Sequence, residues 1–95
     1  MTVGVLRLDL IIQDAQSLKD KRRVVKSVKD RLVHLFNVSV AEVDALDSWQ
    51  RAVLGVALVA NEGRFVHSCL DKIVDWFRQQ RGVVLVDLSR ELYWQ

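Results

Sequence analysis

The chain has 95 residues, 51% of them hydrophobic and 27% charged, with a formal net charge of +2. That mix is expected of one soluble globular domain covering 1–95, and it excludes a disordered chain. No apolar run approaches the ~18 residues of a membrane span, Arg7 and Asp9 argue against a signal peptide, and a lone Cys69 excludes a disulfide framework or cysteine-rich zinc site.

A strand is predicted over 3–12, where Leu6, Leu8, Leu10 and Ile12 alternate with Val5, Arg7, Asp9 and Ile11. Asp14, Gln16 and Ser17 break it. Ser17 followed by Asp20 is close to a capping box, with Asp in place of Glu. The predicted helix spans 18–36, with Val25, Val28, Leu32, Leu35 and Phe36 repeating at three and four, and Asn37 stops it. A second strand is predicted over 38–43, followed by a turn at Asp44, Asp47 and Ser48. The third, 50–60, is apolar on both faces: Ala52, Leu54, Val56 and Leu58 on one, Val53, Gly55, Ala57 and Val59 on the other. Such a strand belongs in the middle of a sheet. A second helix, 64–80, carries Val66, Leu70, Ile73, Val74 and Phe77 on one side. Gly82 follows it as a C-terminal glycine, and the last strand covers 83–88, with an extension towards Tyr93.

The order βαββαβ predicts an α+β, ferredoxin-like domain: a four-stranded antiparallel sheet, order 4-1-3-2, with both helices on one face. Leu6, Leu8, Leu54 and Val56 would lie under the helices. The other face would show Val3, Val5, Val53, Ala57, Val59, Val83 and Leu85, an apolar surface that a monomer rarely leaves open. A homodimer interface is the expected use, given the prevalence of two-fold pairs; a surface for another protein or a small ligand is the alternative.

Charge is concentrated in one segment. Ser17 to Arg31 holds seven bases against Asp20 and Asp30, a net +5, so with +2 overall the rest of the chain carries −3. Lys19, Arg22, Arg23, Lys26 and Lys29 share one side of the first helix, opposite Val25, Val28 and Leu32; Lys21 completes the candidate set. A solvated helix face is charged in any case. Against that plain reading, the face is nearly single-signed, and four of the bases sit where the helix dipole disfavours cations by ~0.3–1 kcal/mol each. RNA or another polyanion is the partner such a stripe fits, by phosphate contacts. An aromatic base platform of the RNA-recognition kind is missing: the exposed central positions are Val5, Arg7, Val53, Gly55 and Ala57. Trp49, Tyr93 and Trp94 remain, residues that more often cap a core or interface than stack on bases.

Catalytic readings are weak. His34 and His67 have no serine or cysteine partner in a recognisable spacing, and lying far apart they make a metal site improbable. Cys69 falls on the buried side of its helix. Asp71 and Asp75 read as solvated charge beside Lys72 and Arg78. The stretch Gln13 to Ser17 lacks the glycines and arginine of an acylphosphatase loop, and Gly63 is isolated. No catalytic residue, metal or cofactor is expected.

The segments Ser17-Leu18-Lys19-Asp20-Lys21-Arg22 and Phe36-Asn37-Val38-Ser39-Val40-Ala41-Glu42-Val43, with Val3-Gly4 and Trp49-Gln50-Arg51-Ala52, carry a resemblance over essentially the whole chain. It resembles the YlxP-like small bacterial proteins, the domain of unknown function 503 family. The resemblance implies a ferredoxin-like fold, a cytosolic bacterial setting and genes often neighbouring those for translation initiation and ribosome maturation. It implies no catalytic residues. The expectation is a non-enzymatic RNA- or ribosome-associated accessory protein, with a dimeric protein-interaction or small-ligand regulatory module as the alternative.

Overall fold

The computed structural model describes residues 1–95. The alternation at the start of the chain becomes β1 (Thr2–Ile12), and its even positions Leu6, Leu8, Leu10 and Ile12 are buried. Then follow α1 (Leu18–Leu35), β2 (Ser39–Asp44), β3 (Arg51–Ala60), α2 (Gly63–Arg78) and β4 (Val83–Trp94). The strands form one antiparallel sheet ordered β2-β3-β1-β4, the expected order read from the other edge. Both helices turn their apolar stripes onto the same sheet face. Val25, Val28 and Leu32 of α1 and Val66, Leu70, Ile73, Val74 and Phe77 of α2 share one core with Leu6, Leu8, Leu54 and Val56.

Local chemistry sets the element ends. Ser17 Oγ accepts the Asp20 N–H at 3.0 Å, and Asp20 Oδ2 accepts the Gln16 N–H at 3.1 Å, so the shorter acid completes a reciprocal cap one residue further back. Gly82, at φ +76°, takes the left-handed turn into β4. Gly4 is required for a different reason. A Cβ there would overlap Val66 Cγ1 and lie 3.2 Å from Leu70 Cδ1, so the missing side chain is what lets α2 settle on β1.

Three positions expected on the open face are placed differently. Val83 pairs with Ile12 and Leu85 with Leu10, which puts both on the helix side; Val83 is buried there and Leu85 packs against the same core. The cause is a bulge in the β1–β4 ladder, where Asp9 still faces Asp87 but Leu10 faces Leu85. The extra residue, Val86, shifts the side-chain phase of the rest of β4. Val53 does lie on the open face, between Asp9 and Asp44, yet it is 0% exposed. Arg7 and Arg51 reach over this row to bond Asp44 and Asp9.

What remains open divides along the strands. One half is apolar, with Tyr93, Val3 and Val59 in register and Val5 beside Ala57 in the next but one row. The other half is charged, with Asp87, Asp9 and Asp44 in one row and Arg7 and Arg51 flanking it.

Candidate nucleic-acid interface

The solvent side of α1 is built by the same periodicity that buries its other side. Lys19, Arg22, Arg23 and Lys26 are exposed and Lys29 is half-buried. The two acids of the segment are both engaged. Asp20 is turned back into the cap, and Asp30 Oδ2 accepts from Lys26 Nζ at 2.9 Å. That bond, with the attraction behind it, raises the Lys26 pKa above its ordinary value. Lys19, Arg22, Arg23 and Lys29 form no ion pair within the chain. Arg31 belongs elsewhere: its guanidinium lies 5.2 Å from the centre of the Trp76 ring and donates to Gln80 Oε1 at 2.9 Å, binding α1 to α2.

Lys21 does not belong to this surface. It is 0% exposed, and its Nζ donates to Glu42 Oε2 at 2.5 Å, Ala45 O at 3.0 Å and Leu46 O at 3.4 Å. All three ammonium protons have acceptors, so nothing is left for an external anion. The residue falls on the apolar stripe with Val25, Val28 and Leu32. It holds the turn after β2, where Ala45 adopts φ 56°, against the start of α1.

The turn so fixed carries two exposed apolar side chains, Leu46 and Trp49. The Ser48 N–H closes it on Ala45 O at 3.1 Å, and Gln50 O accepts the Ile12 N–H at 2.7 Å. Trp49 is therefore displayed, not used as a core cap. Trp76 differs, packing edge-on to Phe77 with ring centres 5.0 Å apart and against the core, whereas Trp94, 66% exposed, lies beside Gly63 at the far end of the sheet. The spacing of the sequence gives no sign of this difference. A tryptophan followed by the polar Gln50 and Arg51 at the end of a turn is the one cue.

On the sheet, Arg51 grips Asp9 through Nε at 3.0 Å and Nη2 at 2.8 Å, and Arg7 Nη2 meets Asp44 Oδ2 at 3.1 Å. Arg51 holds the Asp9 carboxyl below the usual carboxylate range, chiefly through that hydrogen bond. The Ala45 N–H and then Arg7 do the same for Asp44. These pairs are open to water and contribute little to stability. Their effect is to fill the central strands with matched charge where a stacking platform would need aromatic rings. Tyr93, hydrogen-bonded to Glu91, lies at the apolar end of the same face. His34 and His67 are exposed on separate helices, Cys69 is a half-buried free thiol, and Asp71 pairs with Arg90 at 2.8 Å. No helix is long and apolar enough to cross a membrane.

Residues 3–90 match the family model described as "Protein of unknown function (DUF503)". Among curated proteins, the chain is 42% identical over 59 residues to the "Uncharacterized protein YlxP" of Bacillus subtilis (strain 168), a match covering 62% of this chain and 64% of that protein's length. With the family model spanning nearly all of the βαββαβ unit, the chain belongs to this YlxP-like family of proteins of unknown function.

Proposed function

We propose that this domain, ferredoxin-like in topology, is a non-enzymatic RNA-binding accessory protein of the bacterial cytoplasm, with ribosomal RNA as the natural class of target. The observation that carries the reading is the set of free cations on α1: Lys19, Arg22, Arg23 and Lys29 have no partner in the chain, with Lys26 beside them. A face arranged for stability alone would interleave acids and would keep cations away from the helix start. Side chains of this kind grip phosphate without reading bases, so affinity would depend on salt and hardly on sequence.

The test is binding of a short RNA across a range of salt. Wild type should weaken steadily as salt rises. Arg22→Glu with Arg23→Glu should lower affinity for every sequence and flatten the salt dependence by about one unit for each phosphate no longer gripped. Both residues are exposed, so the fold should survive. Binding and salt slope unchanged in the double variant would refute the reading.

A second reading rests on the apolar half of the open face. Val59 is 59% exposed and lies in register with Val3, next to Tyr93. This half is the surface on which a homodimer or another protein would close, burying Val3, Val5, Ala57 and Val59. Sedimentation at micromolar concentration should give a dimer, and Val59→Lys a folded monomer; a wild-type monomer excludes self-association.

A further inference from the structure

We infer that the RNA held by α1 is single-stranded and that Trp49 stacks on one of its bases. The inference rests on the phosphate-binding role of α1 and specifies its ligand. Two placements carry it. The first is the Lys21 ammonium, which bonds Ala45 O and Leu46 O and so fixes the turn between β2 and β3 beside the first turns of α1, where Lys19, Arg22 and Arg23 stand. The second is the state of the tryptophan in that turn. Trp49 is 55% exposed and lies outside the core at the end of β1 from which α1 starts; Trp76 packs against the core, and Trp94, itself 66% exposed, lies at the opposite end of β1 beside Gly63.

Cations along a helix together with an exposed indole at the same end of the domain are a combination that suits unpaired nucleic acid. The cations follow the backbone, and the ring offers a surface to any base, because every base has a π-face. A duplex keeps its bases stacked inside and presents only phosphates and groove edges, so it would gain nothing from Trp49. The sheet's central strands, filled by the Arg7–Asp44 and Arg51–Asp9 pairs, provide no competing platform. The turn is also suited to the task mechanically. It is short, closed by the Ser48 N–H on Ala45 O and anchored on a buried ammonium, so the backbone leading to Trp49 has little freedom left to lose on binding.

The experiment compares a labelled single-stranded RNA dodecamer of mixed sequence with a duplex of the same length, at equal salt, for wild type, Trp49→Ala and Trp49→Phe. Wild type should prefer the single strand. Trp49→Ala should lose about tenfold in affinity for it, within the range stacking supplies, with duplex binding and the salt slope unchanged. Trp49→Phe should recover most of the loss. If wild type binds both RNAs through α1 and Trp49→Ala binds the single strand as wild type does, the stacking role is overturned while the phosphate role stands. If neither RNA binds at low salt, both are overturned.

Discussion

Lys21→Met lowers the free energy of unfolding by about 3–5 kcal/mol, the usual loss when one partner of a buried ion pair is removed. The ammonium is wholly enclosed, Glu42 is only 15% exposed at its side chain, and two turn carbonyls share the same donor. Without Lys21, the Glu42 carboxyl is left without its partner in a half-dry site, and Ala45 O and Leu46 O lose the Lys21 donor. Replacing both partners with apolar groups of similar size removes the uncompensated charge. Lys21→Met with Glu42→Leu should therefore recover most of the stability that the single change loses. Urea unfolding of the three proteins measures this. A single variant within about half a kcal/mol of wild type would mean the pair is not a structural clamp. The same experiment separates the two kinds of cation on α1, since Arg22→Glu with Arg23→Glu should hardly move the urea midpoint.

Leu8→Ala is the second large effect. Leu8 is fully buried on the central strand, with Leu54 opposite on β3 and Leu88 opposite on β4. Truncation removes apolar packing on both sides and leaves a cavity beneath the helices, at a cost of about 2–5 kcal/mol. For a domain of this size each kcal/mol lowers the melting temperature by about 4–8 °C, so thermal unfolding should show a fall of roughly ten degrees or more. A melting temperature near that of wild type would mean the sheet relaxes to fill the space.

The fold is largely legible in the sequence because its signals are periodic. Four apolar residues two apart in β1, stripes at three and four in both helices and a third strand apolar on both faces are enough to specify the element order and the strand order. The departures come where periodicity is broken or overridden. In β4 the buried positions run Val83, Leu85, Leu88, Leu92, and the odd step from Leu85 to Leu88 is the mark of the bulge. A period-two reading carried through that step assigns Val83 and Leu85 to the wrong face. For Val53 alternation gives the right face and the wrong exposure, because Arg7 on the neighbouring strand and Arg51 on its own strand cross that row to reach their carboxylates. Counting charge in a window makes Lys21 part of the basic surface, although its spacing from Val25, Val28 and Leu32 places it inside. A lysine in an apolar stripe calls for a buried acid, and Glu42 on β2 is that acid. Whether a tryptophan in a turn is displayed or tucked in depends on which neighbours happen to reach it, and no spacing encodes that for Trp49.

The position of β1 in the sheet also bears on how the domain comes into being. The strand made first lies in the middle, and its partner on one side is the strand made last: Thr2 pairs with Trp94 and Leu8 with Leu88. While β1 emerges, neither neighbour exists, and its row of leucines has nothing to bury against. The α1 helix, β2 and β3 can gather on it as they appear. The other edge of β1 stays unpaired until β4 has been made. Loop closure over nearly the whole domain then completes the sheet, the kind of long-range pairing that slows folding. The nascent domain therefore carries an open sheet edge through the synthesis of all its earlier elements, and closes that edge only with its last strand.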